Sequence, residues 1–141
     1  MGLDNGFWVK SNRRQLCRKD LPSGLIYTFD EYSNVDETIK YKNIEIIYWR
    51  KNWGLRNAII DYFDGENDSG IYEIDTPEQI DAIVGIIFQF LDRDVWDNEG
   101  ESIWEFEHMK PTLHNNIVNL LLIKEWMKTH QDIYIEFYDS Y

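Results

Sequence analysis

Aromatic planes alternate with cations in Tyr48-Trp49-Arg50-Lys51-Asn52-Trp53-Gly54-Leu55-Arg56. Indole rings can stack a base while guanidinium and ammonium groups hold a phosphate. The stretch falls where a strand is expected to hand over to a helix, whose first backbone N–H groups are free to bind an anion. Trp49, Arg50, Trp53 and Arg56 are therefore the candidates for a small-ligand or nucleotide site. The competing reading is that the two Trp side chains fill the core and the cations lie over them, apolar stems inward.

A second group of cations, Lys10, Arg13, Arg14, Arg18 and Lys19, surrounds Cys17. Neighbouring cations favour a nucleophilic thiolate, but a cysteine enzyme also needs a histidine in reach. His108, His114 and His130 stand far away in sequence, so a solvated basic loop is expected, one able to neutralise the protein's own acids. Asp64-Gly65-Glu66-Asn67-Asp68-Ser69-Gly70 offers alternate carboxylates of the kind that suit a hard cation. An EF-hand counted from Asp64 would need Gly at position six and Glu at twelve, where Ser69 and Asp75 stand, so a polar turn is expected. Glu105 and His108 supply one Glu-x-x-His pair where a di-iron bundle needs two and further glutamates. No metal or cofactor is expected. No phosphate-binding glycine loop, Gly-x-Ser-x-Gly, His-Glu-x-x-His or Cys-x-x-Cys occurs, and a non-enzymatic role is the expectation.

Charge gives the leading reading. The 141 residues carry 14 Lys+Arg against 26 Asp+Glu, a net charge of -12. Residues 1–56 hold 10 basic and 7 acidic side chains, a net of +3, and residues 57–141 hold 4 and 19, a net of -15. Direct binding to nucleic acid phosphates is disfavoured, and a basic protein partner is favoured. Asp64, Glu66, Asp68, Asp92, Asp94, Asp97, Glu99 and Glu101 would form the docking surface, with Trp96 between them as its buried anchor. The plainer alternative is that the acids only keep an aromatic-rich domain soluble.

These side chains need a scaffold. A content of 43% hydrophobic and 16% aromatic residues repays chain ordering, so the chain is expected to be one globular domain over residues 1–141. One cysteine excludes an intrachain disulfide. Met1–Gly6 has no basic region followed by an apolar run, and the apolar stretch Ala82–Leu91 is half of the roughly 20 residues a membrane span needs, so a cytoplasmic protein is expected.

Asp4-Asn5-Gly6 signals a turn before a strand at Phe7–Val9. Leu25–Phe29, Asn43–Trp49, Ile71–Ile74 and Ile133–Tyr138 have strand character. Asn52 is placed to cap a helix bearing Leu55, Ala58, Ile59, Tyr62 and Phe63 on one face. Thr76-Pro77-Glu78-Gln79 reads as a capping box with Pro at the first helical position. The helix it opens has one stripe of Ile80, Ile83, Val84, Ile87 and Leu91. Its second stripe, Ala82, Ile86 and Phe90, suggests a homodimer face in a self-associating structural protein. Residues 92–101 read as a loop, 102–109 as a short helix, and Pro111 as the start of a longer one with Leu113, Ile117, Leu120, Leu121 and Met127 inward. The order implies an α+β fold, with a small antiparallel sheet of about four strands and three helices on one face.

Met1–Gly6 followed by an aromatic strand, together with Tyr48–Arg56, resembles small accessory proteins carried by phages and prophages. The resemblance covers about a tenth of the chain. It implies a protein of the bacterial cytoplasm that works by binding a host protein, and in its sharpest form an inhibitor of a nucleic-acid-binding host protein.

Overall fold

Alternating apolar and polar residues build the sheet. In the computed structural model, which describes residues 4–26, 36–50, 52–65, 70–98 and 103–140, the strands are Asp4–Ser11 (β1), Ile44–Arg50 (β2), Gly70–Ile74 (β3) and Ile133–Ser140 (β4). They pair antiparallel in the order β2-β1-β4-β3. Helices Trp53–Tyr62 (α1), Pro77–Gln89 (α2), Arg93–Asn98 (α3) and Ile103–Thr129 (α4) complete an α+β fold. The expected strand at Leu25–Phe29 lies outside the described residues from position 27 on, and Leu25 and Ile26 are not in a strand.

Phe7, Val9, Ile44, Ile47, Trp49, Ile135 and Phe137 turn toward the helices and are buried. Trp8, Lys10, Glu45, Tyr48, Tyr134, Glu136 and Tyr138 occupy the opposite face, half-exposed. The pairing of β1 with β2 slips between Phe7 and Trp8, whose partners are Ile47 and Glu45. Ile46 is thus the extra residue of a bulge, and its carbonyl accepts Asn119 Nδ2 of α4 at 3.0 Å. Asp4-Asn5-Gly6 belongs to β1 and does not form the expected turn. Gly6 is needed for another reason: a Cβ there would collide with the backbone carbonyl oxygen of Ile47 and meet the Tyr138 ring at 2.7 Å.

Helix ends follow local chemistry. Asn52 precedes α1 but its side chain makes no cap hydrogen bond. At the other end Gly65 N–H reaches Ile60 O at 2.9 Å and Asp64 N–H reaches Asp61 O at 3.1 Å, a Schellman closure. Asp64 takes the left-handed position with φ 52°, and Gly65 lies where a side chain would collide with the Tyr72 hydroxyl. The expected capping box holds: Thr76 Oγ1 accepts Gln79 N–H at 3.2 Å, and Gln79 Oε1 accepts the N–H groups of Thr76 and Asp75.

Two expectations about the helices need correction. Residues 93–98 form α3, not a loop, and the helix expected to begin at Pro111 is continuous with the preceding one. Pro111 lies in the third turn of α4, where its missing N–H costs one bond to the 107 carbonyl. The buried line of α4 is Leu113, Asn116, Leu120, Ile123 and Met127, while Leu121 is 41% exposed.

The strand register gives the sheet two ends. Asp4, Arg50, Gly70 and Ser140 mark the upper end, and Ser11, Ile44, Ile74 and Ile133 the lower. α1 leaves the top of β2 and the chain re-enters at the top of β3, the opposite edge, so this connection crosses the sheet at its upper end. α2 begins just beyond the lower end of β3, and α4 finishes just before the lower end of β4, so the two helices run antiparallel. The Lys124–Asp81 pair at 2.7 Å joins them. The C-terminus of α2, all of α3 and the N-terminus of α4 therefore lie toward the upper end.

Candidate functional site

The topology brings Asp64, Asp92 and Asp94 toward one end of the molecule. Asp64 follows α1 and Gly70 opens β3 at the upper end, and Asp92 and Asp94 lie between the C-terminus of α2 and the first turn of α3, toward that same end. Asp64, Asp92 and Asp94 are exposed. Glu66, Asp68, Glu99 and Glu101 lie outside the described residues, as do the side chains of Asp97 and Trp53. Asp92 also accepts Asp94 N–H at 2.8 Å, which satisfies a free donor in the first turn of α3.

Trp96 is not the expected anchor. Its ring is fully buried, edge-on to Phe90 at 6.3 Å and to Phe106 at 5.7 Å. The helical turn at 93–98 rotates it away from its acidic neighbours and into the core, which one-dimensional spacing does not reveal. Exposed large apolar groups on the elements that carry these carboxylates are Phe88 near the end of α2, Ile71 at the start of β3, and Tyr62, 41% accessible between Asp61 and Asp64. The 3–4 spacing of Tyr62 had placed it on the inward face, but the helix closes right after it. The suggested dimer stripe also turns inward at one end, since Phe90 packs on Trp96 at 3% exposure.

The Tyr48–Arg56 segment splits between surface and core. Trp49 is 1% exposed, edge-on to Phe7 at 5.5 Å. With the Asn116 amide oriented to satisfy both neighbours, its oxygen accepts Trp49 Nε1–H at 2.7 Å and its nitrogen donates to Thr112 O at 3.1 Å. Arg56 forms a buried two-pronged pair with Asp139, Nε to Oδ1 at 3.0 Å and Nη2 to Oδ2 at 2.7 Å. Asn5 Nδ2 adds a bond to Asp139 Oδ1 at 2.6 Å. Trp49 and Arg56 thus anchor the helices to the sheet and do not face a ligand, whereas Arg50 is exposed. Among the described residues, both side-chain polar atoms of Asn52 and Oδ1 of Asn5 are buried without a hydrogen-bond partner.

The helix-free face carries Trp8 stacked on Tyr138 at 4.4 Å. Tyr138 donates to Glu45, and Tyr48 donates to Asp4. Burial is the main cause that pushes the Tyr48 phenol up to about 12, with Asp4 adding to it. Tyr138 is raised further, by burial first and Glu45 second. Burial likewise raises the Glu45 carboxyl, against the bond from Tyr138.

The basic segment lies at the lower end, where Asn12 N–H meets Asp132 O at 3.0 Å. Several of its cations meet acids of the later half: Lys10 lies 3.0 Å from Glu136, and Arg14 3.9 Å from Asp132. Cys17 is 7% exposed, its Sγ–H directed to Asp20 Oδ2 at 3.2 Å, and is closed off from substrate. A cleft of about 360 Å³ opens between Lys10, Ser11, Asn12, Arg14, Gln15, Lys42 and Tyr134. The sequence did not join Lys42 and Tyr134 to this basic loop, because only the register of β1 with its two neighbours does so.

Among the described residues no group of three or more His, Cys, Asp or Glu side chains is placed to hold a metal ion. Among them, too, no helix is long and apolar enough to cross a membrane. Comparison with protein-family models, with curated proteins and with solved structures finds no match.

Proposed function

We propose that this chain is a non-enzymatic binding protein that docks a basic protein partner through its upper, acidic end. The observation that carries the reading is that Asp64, Asp92 and Asp94 are all exposed toward the upper end, away from Lys10 and Arg14. A local cluster of exposed carboxylates attracts a cationic surface and so orients the encounter. Asp64, Asp92 and Asp94 supply charge, and Tyr62 supplies an amphipathic ring of the kind that anchors interfaces. The resemblance to phage accessory proteins supports a host nucleic-acid-binding protein as the partner, and inhibition of it in the bacterial cytoplasm as the outcome.

The test begins with affinity capture from a bacterial host and purification of the basic protein retained. Its affinity is then measured across ionic strength for the native chain and for Asp64→Asn/Asp92→Asn/Asp94→Asn. Three exposed charge pairs at roughly 0.5 kcal/mol each give about tenfold weaker binding in the variant. Affinity that ignores both salt and the triple substitution overturns the proposal, as does the capture of acidic proteins alone.

A further inference from the structure

The cleft at the lower end carries a second, independent reading. Three cations, Lys10, Arg14 and Lys42, line it with no carboxylate among the lining residues, in a chain whose net charge is -12. Its volume of about 360 Å³ falls in the small-molecule range of roughly 300–1,000 Å³. The cations differ in how firmly they are already engaged. Lys10 is held by Glu136 at 3.0 Å. Arg14 stands 3.8 Å from Asp20 and 3.9 Å from Asp132, beyond hydrogen-bond reach, so its fork keeps donors for an incoming oxyanion. Lys42 is exposed and has no ion-pair partner among the described residues.

The rest of the lining is amphipathic. Tyr134 is half-buried, has Lys10 Nζ over its ring at 6.0 Å from the centroid, and gives the cleft its aromatic wall, while Ser11, Asn12 and Gln15 bring polar atoms to the rim. Flat wall and clustered cations together match an aromatic or ribose-sized body carrying a terminal dianion. The overall negative field disfavours loose accumulation of anions, so retention there depends on this local cluster.

We infer that the Lys10–Arg14–Lys42–Tyr134 cleft binds a small phosphate monoester of the nucleoside monophosphate class. Arg14 and Lys42 take the phosphate, Lys10 stays anchored to Glu136 and closes the side of the cleft, and Tyr134 packs against the organic body. This site is separate from the proposed docking end, so charge changes at Asp64, Asp92 and Asp94 leave it intact.

The experiment is titration calorimetry at low ionic strength with three probes: inorganic phosphate, adenosine monophosphate and adenosine. Binding of both phosphate-bearing probes, with adenosine silent and adenosine monophosphate the tighter of the two, is the expected result. If phosphate and adenosine monophosphate bind equally, the phosphate pocket stands and the Tyr134 wall is overturned. Lys42→Ala and Arg14→Ala should each weaken adenosine monophosphate binding by about tenfold, the worth of a hydrogen bond to a charged group. Lys128→Ala on α4 should leave it unchanged. The unliganded melting temperature of each variant separates lost binding from lost folding, with Lys42→Ala, at an exposed side chain, serving as the variant that folds. Absence of heat with both phosphate probes overturns the inference, as does binding unaffected by Lys42→Ala and Arg14→Ala, or binding of adenosine as tight as that of its monophosphate.

Discussion

Arg56 and Asp139 hold opposite charges with side chains 2% and 0% exposed, and each satisfies the other with two bonds. Removing one partner leaves a buried charge uncompensated. Arg56→Ala or Asp139→Ala should cost about 3–5 kcal/mol in urea unfolding, while the paired replacement Arg56→Met/Asp139→Leu should cost much less. Titration adds a second prediction. Hydrogen bonds from the Cys17 backbone hold the Asp20 carboxyl below its ordinary value, and the Ser11 hydroxyl does the same for Asp132. Such groups contribute stability that is present above their unfolded value of about 3.9 and is lost as the pH falls through the folded value. Asp20→Asn should therefore flatten the acid limb of a stability profile measured by urea unfolding from pH 2 to 6. Tyr48 has the opposite sign. Its phenol is raised to about 12, so its contribution is present below its unfolded value near 10 and is lost as the pH climbs past that toward 12. Tyr48→Phe should remove this share of alkaline destabilisation.

At the level of elements, legibility tracked how local the determining interaction is. The α2 start was readable because Thr76 and Gln79 satisfy each other within four residues. Thr76→Ala should lower stability by about 1 kcal/mol in the same unfolding assay. The strands β2, β3 and β4 were readable from alternation, since one face is buried and the other is not. Other features were decided by contacts distant in sequence. The run through Pro111 survives because α4 is held by its buried line from Leu113 to Met127, which outweighs one missing hydrogen bond. Gly6 reads as a turn residue by type, but it lies in β1 beneath a ring 132 positions away, that of Tyr138. Trp49 and Arg56 looked like ligand groups because stacking platforms and core anchors use the same residue types. Their roles were set by Asn116 and Asp139, which spacing does not connect to them. The Schellman end of α1 links element to function. Asp64 occupies a left-handed conformation that glycine adopts without strain. Asp64→Gly should raise stability by up to about 1 kcal/mol while weakening capture of a basic partner.

At the scale of the molecule, β2 and β3 are opposite edges of the sheet and α2 and α4 are antiparallel. That arrangement sets Asp64, Asp92 and Asp94 toward the upper end and Lys10 and Arg14 toward the lower end, where Asp75, Glu78, Asp81 and Glu125 are also exposed. The early cations cancel part of the later acid, Lys10 pairing with Glu136 and Arg56 with Asp139, while Asp64, Asp92 and Asp94 remain exposed. Composition alone established the excess of acid, and the strand order places Asp64, Asp92 and Asp94 toward one end. The most direct test of the proposed docking end is an NMR titration of the labelled protein with a short Lys/Arg-rich peptide, following every backbone amide. The account predicts that shifts concentrate on residues 61–70 and 92–101 and fade as salt is raised. Shifts spread evenly over the exposed acids of α2 and α4, such as Glu78, Asp81 and Glu125, would contradict it.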